Sequence, residues 1–187
     1  MKIYFLSLLL IISLVGCAVN PVTGKQDFVM ISEEQEIQMG REYNSQILQM
    51  NPVYQDQKLQ DYVQSIGESL ALKSHRPNLI YRFTVLDSPD INAFALPGGY
   101  IYINRGLMSY FSSEEELAAV LGHEIGHVTA RHSVRQYSQS QLMGILSAAI
   151  EINSGRTAGN IANLASGALL SGYGREMELE ADDLGAQ

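Results

Sequence analysis

The chain holds a single cysteine, so no disulfide can close within it. Positive charge is scarce: 12 Lys and Arg stand against 20 Asp and Glu, a formal net charge of -8 at pH 7. A nucleic-acid binder usually shows the opposite sign, so nucleic acid is not an expected partner. No apolar run reaches the roughly 20 residues that cross a bilayer as a helix. What remains is 187 residues, 46% hydrophobic and 17% charged, which suits one globular domain with its own core.

The lone cysteine closes an N-terminal pattern. Lys2 precedes an apolar run from Ile3 to Val15, followed by Gly16-Cys17, the n-region and h-region of a secretory signal. Leu14-Val15-Gly16-Cys17 resembles the bacterial lipobox, in which the peptide is cut before the cysteine and the cysteine is lipidated. The expectation is a lipoprotein signal peptide over 1–16, lipidation at Cys17 and a linker over 17–31. Ala18, where an aspartate would retain the protein, points by the same resemblance to the outer membrane. An ordinary signal peptide with a leftover thiol and an uncleaved anchor are the alternatives. A lipid chain tethers a domain to a membrane without spanning it.

Ala18 to Met30 is polar and irregular, with Asn20-Pro21 and Thr23-Gly24 as breakers. Ser32 and Gln35 form a capping box that opens a helix to about Met50, before Asn51-Pro52. A second helix is expected over Gln55 to Leu72, with Leu59, Tyr62, Val63, Ile66 and Leu70 as its core stripe. Tyr81 to Leu86, Asn92 to Leu96 and Tyr100 to Asn104 read as strands, the last two joined by Pro97-Gly98-Gly99 in a tight reversal. Gln141 to Ile152 and Thr157 to Leu170 read as small-residue helices suited to close packing, or to contact with lipid or a partner. A last helix starts near Arg175 and is expected to be still running at Gln187, with the domain that begins at residue 32 continuing past it.

Between strands and late helices stands His123-Glu124-Ile125-Gly126-His127, an HExxH sequence. Ser113 and Glu116 form a second capping box at the start of its helix, and Glu114 and Glu115 complement the helix dipole. Histidines at i and i+4 lie about 40° apart around the axis and can reach one metal ion. Leu117, Leu121, Ile125 and Val128 form the core stripe. Gly122 and Gly126 occupy another side, where each costs about 1 kcal/mol against alanine, and close approach of another backbone would justify them.

Two histidines fall short of the three protein ligands plus water of a catalytic zinc site. The extended form HExxHxxGxxH needs glycine at 130 and histidine at 133; Ala130 and Ser133 exclude that class. His132 lies about 140° around the same helix from His127 and is read as structural. The third ligand is then sought in Glu178-Leu179-Glu180-Ala181-Asp182. Glu178 and Asp182 share a helix face, and Glu180 lies away from them. Glu178 is assigned to the metal, and Asp182 to a hydrogen bond that fixes a ligand histidine's tautomer. A solvated acidic helix is the alternative. The expected cofactor is one Zn2+ per chain; a purely structural zinc would favour cysteines and close all four positions. Zinc lowers the pKa of bound water from 15.7 to about 7, Glu124 removes the proton as general base, and it can then pass it to the leaving amine. No transition-state stabiliser stands out, and a Tyr or His beyond Gln187 is the expected source.

Together these residues resemble the HtpX and CAAX-prenyl-protease-like zinc endopeptidases, in their bacterial lipoprotein (BepA- and LoiP-like) branch. The resemblance rests on Asn20 to Lys25, on Asn92 to Tyr102, and most specifically on His123 to His132 and Arg175 to Gly185. It implies a gluzincin-type α+β fold, mostly helical with a small three- to four-stranded sheet. His123, His127 and Glu178 match the family's zinc ligands and Glu124 its base. Family substrates pair with an edge strand above the metal, which implies Asn92, Ala93, Phe94 and Ala95, or the neighbouring strand, as the substrate-binding edge; a core hairpin is the other reading. The implied function is a membrane-tethered endopeptidase degrading misfolded or misassembled envelope proteins at the periplasmic face of the outer membrane. Expected partners are unfolded protein substrates, the membrane through the lipid anchor, and the outer-membrane assembly machinery. An assembly factor or chaperone-like binder with a latched metal site is the alternative, and a hydrolase for non-peptide substrates a third.

Overall fold

The described residues start with two short strands, β1 (Cys17–Val19) and β2 (Gln26–Phe28), paired antiparallel where the sequence reads as irregular. The computed structural model describes residues 17–19, 22, 24, 26–153 and 172–187, with side chains at 22, 24, 27–145 and 172–187. The expected signal peptide and the helix over 157–170 lie outside the described residues.

Helix α1 (Glu33–Met50) begins at the expected capping box: Ser32 Oγ accepts from the Gln35 amide and Gln35 Oε1 from that of Ser32. It ends before Pro52, whose ring disfavours helical geometry in Asn51. Helix α2 (Gln57–Ala71) starts two residues later than expected, because Asp56 is the cap that accepts from the Leu59 amide. Val63 is buried, with Leu59, Ile66 and Leu70 packed against the same cluster. Tyr62, expected in that stripe, is instead 41% exposed and donates its hydroxyl to Glu114 at 2.8 Å. A phenol at the edge of the stripe can keep its polar end in water.

Strands β3 (Arg82–Leu86), β4 (Ala93–Leu96) and β5 (Tyr100–Asn104) form one sheet in the order β3-β5-β4. β3 runs parallel to β5 and β4 antiparallel. The Pro97–Gly99 turn makes the reversal, with Gly98 at φ 74° and Gly99 at φ 90°, a region closed to most side chains. Side chains alternate across the sheet. Phe83, Val85, Ala95, Ile101 and Ile103 join Leu117, Leu121, Ile125 and Val128 in one buried cluster, while Leu86, Leu96, Tyr100 and Tyr102 pack with Ile47 of α1 in the other. The sheet is thus sandwiched, β5 is buried along its length, and β4 is left at the edge.

After the short α3 (Arg105–Met108) come α4 (Glu114–Thr129), α5 (His132–Asn153) and α6 (Arg175–Gly185). Ser113 accepts from the Glu116 amide, but Glu116 reaches the amide of Ser112 rather than that of the cap. The HExxH helix does not continue through His132. It stops at Ala130, Arg131 takes φ 57°, and α5 starts at His132, nine residues before the expected Gln141. A left-handed non-glycine residue costs about 1–2 kcal/mol. Arg131 is held there by its guanidinium, which donates to buried Glu36 at 2.7 Å. The last helix ends at Gly185, before the expected Gln187. No helix among the described residues is long and apolar enough to cross a membrane. The fold is α+β: a small mixed three-stranded sheet and a two-stranded pair among helices.

Candidate metal centre

The two glycines of α4 place α6. A Cβ on Gly126 would meet the Ala181 carbonyl oxygen at 2.7 Å, and one on Gly122 the Gly185 oxygen at 2.8 Å. Backbones therefore touch along the side of α4 where the sequence puts its glycines. Ala181, fully buried, is the contact residue of α6. Residues 178 and 182 flank it, at the helical spacing that turns both toward the histidines.

His123, His127 and Glu178 each offer one ligand atom, all within 4.8 Å of one another. The two Nε2 atoms are 2.9 Å apart, and Glu178 Oε2 lies 3.4 Å from that of His123 and 3.8 Å from that of His127. Hydrogen bonds on the far side of each ring decide what these atoms present. His123 Nδ1 sits 2.8 Å from Asp182 Oδ1, and a carboxylate only accepts, so Nδ1 carries the proton and, in the neutral ring, Nε2 is bare. His127 Nδ1 is 2.8 Å from His132 Nδ1. With its proton there, His127 too presents a bare Nε2, and two lone pairs face each other at 2.9 Å. Two imidazoles and a carboxylate converging on one point make a donor set that fits a divalent metal.

Glu124 is buried in the same cleft. Burial, and then the negative charge of Glu178, push its carboxyl up to about 8. Burial, then the proximity of His132 and His123, drive His127 down to about 3, which keeps it neutral and able to ligate. A cavity of about 510 Å³ opens over the site, lined by Asn92, Ala93, Phe94 and Ala95 on one side and His123, Glu124, His127, Tyr173 and Glu178 on the other. The Asn104 amide donates to Asn92 O. Alternation then turns the backbone of Phe94 and Leu96 toward β5, and that of Ala93 and Ala95 toward the cleft.

Of the residues named from the sequence, Asn92 to Ala95, His123, Glu124, His127 and Glu178 line this one cleft, Asp182 stands behind the His123 ring, and the side chain of Cys17 is outside the described residues. Three others touch the site: Tyr173 escapes the sequence reading, and that reading places His132 and Glu180 away from it. Tyr173 stacks on the His127 ring at 4.1 Å and its hydroxyl pairs with Ser133 at 2.6 Å. Burial raises its pKa to about 12. His132, fully buried, touches His127, contrary to the position extrapolated along an unbroken helix. Glu180, expected to lie away, bonds His132 Nε2 at 3.1 Å and Arg135 Nη1 at 2.8 Å. The available signal was a histidine five places past the motif, and a carboxylate on the packed side of α6 that needs a partner. Nothing in the local sequence pattern singles out Tyr173.

The model of peptidase family M48 matches residues 57–187. The chain is 32% identical over 169 residues to the beta-barrel assembly-enhancing protease of Escherichia coli (strain K12), covering 84% of this chain and 34% of that protein. It is 33% identical over 126 residues to the Yersinia pestis protein of the same name, 67% of this chain and 26% of that one. The mitochondrial metalloendopeptidase OMA1 of Schizosaccharomyces pombe is 30% identical over 173 residues, 88% of this chain and 50% of that protein. The chain thus spans about a quarter to a third of the length of the two bacterial relatives.

Proposed function

The chain belongs to peptidase family M48, and from that premise we propose that it is a zinc-dependent endopeptidase for unfolded or misassembled proteins of the cell envelope. The observation that carries this reading is the convergence of His123 Nε2, His127 Nε2 and a Glu178 carboxylate oxygen within 4.8 Å of one another, with Glu124 and the open edge of β4 around the same cavity. His123, His127 and Glu178 hold the metal, and Asp182 fixes the His123 ring from behind. A zinc ion so held would polarise the scissile carbonyl and acidify a water molecule.

The protein's residues do the rest. Substrate backbone pairs with the free N–H and C=O of Ala93 and Ala95, which gives affinity with little demand on side chains and so suits unfolded chains. Glu124 takes the proton of the attacking water on its carboxylate and delivers it to the leaving amine. Cys17, if lipidated, tethers the domain to the periplasmic face of the outer membrane. Acyl labelling that is lost in Cys17→Ala is the expected sign of that.

Casein hydrolysis is expected to disappear with a chelator and return with zinc. Glu124→Gln is expected to lower it by about 10²- to 10⁴-fold while zinc content is unchanged. Turnover that survives in Glu124→Gln defeats the reading. A second role, in β-barrel assembly, is favoured by the names of the two bacterial relatives. It prevails if the cellular phenotype of a deletion is rescued by Glu124→Gln.

A further inference from the structure

Support for the two ring ligands is uneven. His123 has a carboxylate directly behind it, on the same helix as Glu178. His127 has another histidine, and an imidazole can donate or accept. Which nitrogen of His127 carries the proton, and hence whether its Nε2 can bind a metal at all, depends on His132.

The geometry behind His132 resolves this. Its Nε2 lies 3.1 Å from Glu180 Oε2, and the same oxygen accepts from Arg135 Nη1 at 2.8 Å. A carboxylate paired with a guanidinium is ionised and can only accept. His132 must therefore place its proton on Nε2, and as a neutral ring it then has a bare Nδ1. That Nδ1 is 2.8 Å from His127 Nδ1, so His127 donates there and its own Nε2 is bare toward His123 and Glu178. Arg135 is held in turn by Asp27, at 3.4 Å. His132 is fully buried.

We propose that Glu180 and His132 are positioning residues that set the tautomer of His127 through two consecutive hydrogen bonds, so that α6 supports both histidines of α4: His123 directly through Asp182, His127 at second hand through α5. The proposal rests on the metal-site reading, not on the peptide bond as substrate. It explains why three carboxylates alternate along α6. Glu178 and Asp182 face the metal side, and Glu180 reaches the opposite way to the start of α5. It also gives a reason for the break at Arg131, since an unbroken helix would carry His132 out of reach of His127.

Long-range ¹H–¹⁵N spectra of histidine-labelled, metal-free chain read the tautomer directly. The expected result is protonated Nδ1 and bare Nε2 on His127, with the reverse on His132; a protonated Nε2 on His127 overturns the proposal. Zinc affinity, by chelator competition, tests the same chain of bonds in variants. Glu180→Ala is expected to weaken zinc binding and populate the other His127 tautomer. His132→Phe is expected to weaken it by about 10- to 100-fold. His132→Asn, whose side-chain oxygen can take the place of Nδ1 as acceptor, is expected to recover most of that loss. Far-UV circular dichroism and thermal midpoints separate these effects from misfolding. If Glu180→Ala folds and keeps both the wild-type affinity and the His127 tautomer, the relay fails. If the wild-type chain binds zinc with these tautomers but cleaves no casein, the peptidase reading fails and this one stands.

Discussion

Glu124 and Glu36 are both buried carboxylates, and their surroundings give them opposite roles. In metal-free protein Glu124 has no cation beside it, and its folded pKa of about 8 exceeds the ordinary 4.5. The unfolded chain then releases a proton that the folded chain keeps, so stability falls as pH rises between those values. His127, depressed to about 3 from 6.5, acts in the opposite sense below 6.5. The clean window is therefore pH 6.5 to 8, where chelated protein is expected to lose about 2 kcal/mol. Glu124→Gln should flatten that slope, and an equal slope in the variant contradicts the assignment. Glu36 is fully buried and accepts from Arg76, from Arg131 and from the Gly98 amide. Glu36→Ala leaves Arg76 with only Glu33 and the Val128 carbonyl, and Arg131 with the Ile31 carbonyl, and a loss of about 1–3 kcal/mol in urea denaturation is expected. A loss below 1 kcal/mol would mean that water already screens the cluster.

At the scale of elements, the site depends on how closely α6 lies on α4. Gly126→Ala adds a methyl group 2.7 Å from the Ala181 oxygen. Helix propensity alone would make the change favourable by about 1 kcal/mol, while overpacking in a closed contact costs about 1–3 kcal/mol. The net expectation is a lower thermal midpoint together with weaker zinc binding, since Glu178 and Asp182 shift with the helix. A stabilised variant with unchanged zinc affinity would show that the contact is looser than it looks. The edge strand gives a second test. Ala93→Pro removes an N–H from the open side of β4 without touching the pairs with β5. A several-fold rise in KM for casein with unaltered zinc content is expected, in line with about 1 kcal/mol for one hydrogen bond. Unchanged KM would move the substrate elsewhere.

Over the whole molecule, the metal is expected to act as a clamp between α4 and α6, because it binds the folded arrangement and not the unfolded chain. Zinc at a thousand times its Kd would add about 4 kcal/mol. For a chain of this size that is a Tm shift of roughly 10 °C, removed by chelation and restored by zinc. An unaltered Tm on chelation would mean that the three side chains do not close on one ion.

Much of this was legible along the chain because it is local. The cap at Ser32, the Pro97–Gly99 reversal, the three strands and the core stripe of α4 follow from short-range preference and period. His123, Glu124 and His127 stand within one helical turn or so. The glycines at 122 and 126 announced a close neighbour before the neighbour was known. Sequence did not reveal the turn at Arg131, whose left-handed backbone is held by Glu36, 95 positions away. For the same reason it misplaced His132 and overlooked its bond to His127. The partner of Glu180 and the packing of Tyr173 on His127 likewise depend on where α5 and α6 cross α4. Repeating patterns record which face of an element is apolar. Which polar groups meet behind a ring is settled only when separate helices are packed, because buried donors and acceptors must then find partners among whatever the fold brings near.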